Sequence, residues 1–168
     1  MAFGSTYEGV RLVTSEVKKV LTKKPLIVKL TPNVTDIVSI AKGAEDGGAD
    51  GISLINTLLG MKIDINTKRP MLANNTGGLS GPCIKPVAIR MVNSVSNAVK
   101  IPVLGMGGII NGDDAIEFMI AGSTAISIGA GNFINPTCSM EIVDSIECYM
   151  KEKNIKDIKD IIGSVILN

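Results

Sequence analysis

Two glycine clusters sit at the ends of apolar runs, LGMGGI at 104–109 and SIGAGN at 127–132. Glycine has no Cβ and reaches backbone conformations closed to other residues, so two such turns can bring bare N–H groups up to one anion. Where strands alternate with helices, phosphates favour the loops after the last strands and a nearby helix start. On that reading Gly107 and Gly108 approach a phosphate from one side and Gly129 and Ala130 from the other, ahead of a helix starting past Asn132. The plainer reading is two tight turns with no ligand. Lys29 lies inside the apolar run LIVKL (26–30). An ammonium there is costly unless it meets an anion or reaches water. Lys29 is therefore either a fixed cation beside a charge formed in a reaction or a lysine snorkelling from a strand edge. Asn56 and Thr57 close the run GISLINT with an amide and a hydroxyl. They suit the rim where a small polar substrate lies, or they simply make a turn.

Other chemistries are excluded by what the chain lacks. It has no histidine, which removes a Ser-His-Asp triad and every His-ligated metal site within these 168 residues. Cys83, Cys138 and Cys148 are scattered, with no C-x-x-C spacing, and read as reduced thiols of a cytoplasmic protein. Seventeen basic residues balance 16 acidic ones for a net charge of +1, which argues against a nucleic-acid or anionic-membrane partner. Three Phe, two Tyr and no Trp make a base-stacking platform a poor expectation. No apolar run reaches the ~18–20 residues of a membrane span, and MAFGSTYEGV has no signal-peptide pattern. With 45% apolar residues, a single domain over 1–168 is expected to bury a core.

The elements that must position these residues follow from periodicity. STYE (5–8) reads as a capping box on Ser5, and Val10, Val13, Val17, Val20 and Leu21 give an amphipathic helix ending near Lys24. LIVKL (26–30) is a strand. Thr35 caps a helix over 36–46, which Gly47 and Gly48 end. GISLIN (51–56) is the next strand, 85–99 the next helix, and PVLGM (102–106) the third strand. Asn111 caps a helix over 112–121, AISIG (125–129) is the fourth strand, and helices follow at 139–152 and from Asp157. Strands that read as unbroken apolar runs and alternate with helices predict an α/β fold with parallel strands. The echo between GADGISLI (48–55) and GSTAISIG (122–129) fits repeated βα units, or merely two similar αβ turns. The 28 residues from Thr57 to Ile84 far exceed the usual ~2–6 of such a connection and carry ANNTGGLSGP (73–82), dense in glycine and hydrogen-bonding groups.

In their order and spacing, KLTPNVTDI (29–37), GADGISLINT (48–57), ANNTGGLSGP (73–82), IPVLGMGGI (101–109) and SIGAGNF (127–133) resemble the catalytic subunit of class 1B dihydroorotate dehydrogenase. The resemblance covers nearly the whole chain. It implies an FMN-binding (β/α)8 barrel that oxidises dihydroorotate to orotate in pyrimidine synthesis. By position it makes Lys29, Ile55, Gly81, Gly107, Gly108, Gly129 and Ala130 contacts to FMN, and Asn56 and Thr57 contacts to substrate. It also implies a homo-oligomer and a partner subunit carrying an iron–sulfur centre and FAD, which passes electrons to NAD.

The departure is one of extent. The family has about twice as many strands as are read here, and its first four βα units precede the segment like MAFG. Its base cysteine lies just before that point, and none of Cys83, Cys138 and Cys148 matches it. The chain thus resembles the C-terminal half of the barrel, about four βα units without the catalytic base. Its open strand edges predict self-association or poor stability. Two other functions stay open at this point: a phosphate-binding barrel that isomerises or cleaves a phosphorylated metabolite, and an inactive half-barrel that binds FMN or a partner chain.

Overall fold

The computed structural model describes residues 3–168, so Met1 and Ala2 of the N-terminal segment lie outside it. After a 3-10 turn at Phe3–Ser5 the chain runs α1 (Tyr7–Val20), β1 (Ile27–Lys29), α2 (Ile37–Asp46) and β2 (Gly51–Leu54). Four short strands follow: β3 (Leu58–Gly60), β4 (Ile63–Asp64), β5 (Arg69–Pro70) and β6 (Gly77–Leu79). Then come α3 (Lys85–Ser96), β7 (Val103–Met106), α4 (Gly112–Ala121), β8 (Ala125–Ser127), α5 (Ala130–Ile134) and α6 (Cys138–Glu152).

β1, β2, β7 and β8 form one parallel sheet in that order. Its registers pair Val28 with Ile52, Ser53 with Leu104 and Gly105 with Ile126. Each strand is followed by a helix, and α1 packs on α2, α2 on α3, α3 on α4 and α4 on α6. This is the strand and helix order of half a (β/α)8 barrel. The core lies between helices and sheet, where Ile52, Leu54, Val92, Val95 and Phe118 are fully buried. Along β7, Val103 and Gly105 are buried while Leu104 and Met106 are only half-buried. One face of the sheet is thus covered by helices and the other is more open.

Several boundaries differ from the sequence reading, each for a local reason. The first helix is capped by Thr6, whose hydroxyl accepts the Gly9 amide at 3.1 Å, because the 3-10 turn has already used Ser5. It stops at Val20, not near Lys24. The second helix is capped by Asp36 rather than Thr35. One carboxylate oxygen accepts both the Val38 and Ser39 amides, at 3.0 and 3.1 Å, and adds its charge at the positive helix end. The long connection is not strandless: β3 pairs antiparallel with β6, and β4 with β5. Strands of two and three residues are too short to show an alternating pattern. The helix after the second glycine cluster starts at Ala130, ahead of Asn132, and lasts one turn before α6 begins. The terminal helix is a single 3-10 turn at Ile158–Asp160. The apolar stripe of α1 is not core throughout: Val10 is buried, but Val13, Val17 and Val20 are exposed.

Candidate functional site

The site residues come from the carboxyl ends of the four parallel strands. Lys29 is the last residue of β1, Ile55, Asn56 and Thr57 follow β2, Gly107 and Gly108 follow β7, and Gly129 and Ala130 follow β8. Main-chain bonds past the sheet tie these ends together. The Ile55 amide donates to the Met106 carbonyl at 3.0 Å and the Asn56 amide to the Leu30 carbonyl at 2.9 Å. Gly81, just before α3, completes the group. All nine residues line one cleft of about 240 Å³, shared with Ser80, Ile84, Met106 and Ser127. Sequence reasoning missed those four. Met106 and Ser127 end their strands, so the rule that sends ligands to strand ends would have found them. Ser80 and Ile84 belong to the long connection, whose path no periodicity reveals.

The glycines divide by physical cause. Gly107 and Gly108 have φ of +123° and +87°, conformations that L side chains rarely adopt. A Cβ on Gly107 would press on Ala88 and Ile84, both at 3.2 Å. One on Gly108 would meet the Gly81 carbonyl oxygen at 2.9 Å. The fold itself therefore demands this glycine pair, and the missing Cβ atoms clear protein rather than ligand. Gly129 is the opposite case, since it lines the cleft and a Cβ there meets nothing within 4 Å. What the two turns share is their amides. Among the described residues, no main-chain or side-chain acceptor takes the amide hydrogens of Gly107, Gly108 or Gly129. Helix α5 is too short to add much of a macrodipole, so donors rather than the helix recommend this end of the cleft for an anion.

Lys29 is exposed at the cleft and has no carboxylate partner among the described residues. Its ammonium reaches water, so the chain does not need an anion there to stabilise it. Its claim to function is its position. Asn56 is exposed and Thr57 half-buried, and neither side chain has a hydrogen-bond partner among the described residues. None of the cysteines lines the cleft. Cys83 and Cys148 are exposed, and buried Cys138 donates to the Ile110 carbonyl.

Behind the glycine pair lies a charged brace. The Lys85 ammonium contacts Asp114 at 2.6 Å and Glu117 at 2.7 Å. Buried Asp114 also accepts the Ile110 amide at 2.9 Å, which ties the glycine loop to the starts of α3 and α4. The Asp114 and Glu117 carboxylates hold the Lys85 pKa above its ordinary value of 10.5. A raised lysine pKa stabilises the fold fully below that ordinary value, and the gain is lost as pH climbs through the higher folded value. Lys85→Met is expected to lower stability by about 1–2 kcal/mol at neutral pH. The gap should close in alkali above the ordinary lysine range, as denaturation midpoints across a pH series would check. An equal gap at every pH would show that packing, not charge, does the bracing.

The dihydroorotate dehydrogenase family model matches residues 2–150. The chain belongs to the dihydroorotate dehydrogenase family. A relative from Brachyspira hyodysenteriae is 59% identical over 99% of this chain, and one from Alkaliphilus oremlandii is 61% identical over 97%. A third, from Porphyromonas gingivalis, is 51% identical over 99%. All three are named catalytic subunits of dihydroorotate dehydrogenase B (NAD(+)). The chain spans about half the length of these relatives, 54–55%. The half-barrel order of strands and helices agrees with that extent. No helix among the described residues is long and apolar enough to cross a membrane.

Proposed function

We propose that the chain is the C-terminal, flavin-holding half of an NAD-linked dihydroorotate dehydrogenase, with FMN as its cofactor and dihydroorotate as the substrate. The observation that carries this reading is the convergence of nine residues from five separate segments on one cleft with unpaired amides and a free lysine. At about 240 Å³ the cleft falls below the ~300–1,000 Å³ of complete small-molecule sites, which fits a site finished by groups beyond this chain.

The residues present fit the nucleotide. The amides of Gly107, Gly108 and Gly129 suit the phosphate. Ile55, Ile84 and Met106 supply an apolar wall that keeps water from the reacting face. When bound, the flavin supplies a hydride acceptor for the oxidation of the substrate. Lys29 holds a positive charge at the cleft, where it stabilises negative charge that develops on reduction. Asn56 offers a donor and an acceptor, and Thr57 a hydroxyl, to the ring amides and carbonyls of the substrate. They fix the plane of the ring, and precise orientation is a large share of any catalytic gain. The proton on the adjacent carbon needs a base, and no cysteine of this chain lines the cleft to take it. That base, the iron–sulfur and FAD subunit that relays electrons to NAD, and assembly as a homo-oligomer in the cytoplasm complete the proposal.

The test is direct. The purified chain is incubated with FMN, passed through a desalting column and titrated by fluorescence quenching, and then offered dihydroorotate. Retained yellow colour without turnover is expected. Lys29→Ala should weaken FMN binding or, where an intact barrel is assembled, slow flavin reduction, by about three- to tenfold in either case. A wild-type chain that ignores FMN yet binds a simple sugar phosphate would overturn the proposal.

A further inference from the structure

Asn33 lies outside the cleft, in the loop between β1 and α2, yet its side chain makes three hydrogen bonds that converge on the rim. The Asn33 Nδ2 donates to the Thr57 carbonyl at 3.0 Å and to the Thr31 hydroxyl at 3.1 Å. Its Oδ1 accepts the Leu59 amide at 2.9 Å. The donor at Leu59 fixes which end of the amide is oxygen. One side chain thus satisfies both a carbonyl and an amide two residues apart, as a neighbouring strand would. The Asn33 main-chain N–H also donates to the Thr31 hydroxyl, at 3.2 Å, which holds the base of the clamp.

The same short segment is gripped from its other side. A Cβ on Gly78 would lie 2.7 Å from the Thr57 Cβ and still closer to its hydroxyl, so the Thr57 side chain rests directly on the bare backbone of β6. Asn33 therefore holds the Thr57 main chain while Gly78 receives its side chain. Between them they fix the residue that, with Asn56, lines the cleft.

We propose that Asn33 is a positioning residue for substrate: its side-chain amide sets the register of 57–59 and thereby presents the Asn56 amide and Thr57 hydroxyl to the ring. This rests on the substrate reading above and adds a residue that does not itself touch the cleft. The glycine amides that suit the phosphate lie on other segments, so loss of the clamp should separate the two ligands. In the FMN-loaded chain, Asn33→Ala is expected to weaken orotate binding by about tenfold while FMN affinity stays within about twofold. Gly78→Ala, which displaces the same threonine from the other side, should give the same split. Asn33→Asp keeps the acceptor for Leu59 and should restore part of the affinity. Hydrogen exchange supplies a readout free of ligands, with the Leu59 amide exchanging faster in Asn33→Ala while α3 and α4 are unchanged.

Orotate affinity within twofold of wild type in both variants would overturn the proposal. So would a parallel loss of FMN and orotate, which marks a general structural role. If the wild-type chain binds FMN but not orotate, the substrate reading fails. The Leu59 exchange rate then decides the clamp, faster exchange confined to 57–60 supporting it and unchanged exchange refuting it.

Discussion

Gly108→Ala is expected to lower the stability of the chain by about 2–5 kcal/mol, the sum of a left-handed backbone strain of ~1–2 and an overpacking cost of ~1–3. The backbone φ at this position is +87°, and the added methyl would meet the Gly81 carbonyl oxygen and the Lys85 Cβ, both at 2.9 Å. The Gly81 carbonyl already accepts the Ile84 amide at 3.1 Å, and Lys85 opens α3 and pairs with Asp114. The methyl therefore has no flexible side-chain end to push aside, and the start of a helix must move. Gly129→Ala is the control, with open space around its Cβ and a negative φ. It should fold within about 0.5 kcal/mol of wild type. Gly129 lines the cleft, so an added methyl there should still lower binding of FMN or inorganic phosphate. Urea denaturation and FMN titration of both variants distinguish the cases. Equal stability for the two alanines would refute the packing argument, and undiminished anion binding by Gly129→Ala would remove that turn from the site.

At micromolar concentration the 17.6 kDa chain should leave a sizing column as a dimer or larger species and dissociate on dilution. Among the described residues β1 and β8 each have one neighbouring strand, so each leaves an unpaired row of amides and carbonyls. Apolar side chains are exposed on β1 itself and on the helices that precede it and follow β8. Val20 of α1 is 81% exposed and Ile27 of β1 is 53% exposed, while Phe133 in the turn after β8 is 93% exposed. A groove of about 240 Å³ between α1 and β1, lined by Val10, Val13, Val28 and Leu30, runs along the first edge. Light scattering across a dilution series would measure the association. A chain that stays monomeric and unfolds cooperatively at every concentration would show that these edges are protected without a partner.

The sequence revealed the frame of the cleft better than its reasons. The α4 helix was legible to the residue, since Asn111 has a side chain that caps and Gly122 has a backbone that stops. The four parallel strands were legible because residues buried between layers read as unbroken Val, Ile and Leu. Their ends were not, because Leu26 and Leu30 look like strand but pass the ladder by one residue. The glycine pair was found for half of its cause: the free amides are there, but it is the crowding by Ile84, Ala88 and Lys85 that forbids any other residue. That crowding is tertiary and leaves no mark on local spacing. The same holds for Asn33, whose partners Thr57 and Leu59 lie beyond α2 and β2, at the start of the long connection.

The parallel sheet also bears on how fast the molecule can form. Every rung of its ladder, from Ile27 with Gly51 to Met106 with Ser127, joins residues separated by at least one helix. No rung can form until an intervening loop has closed, and loop closure draws on chain entropy before any contact repays it. Return from denaturant should accordingly be slow, with β1 and β8 presenting sticky borders while the centre assembles. Dilution during renaturation would favour recovery of the native chain, because it slows collisions between chains without slowing closure within one.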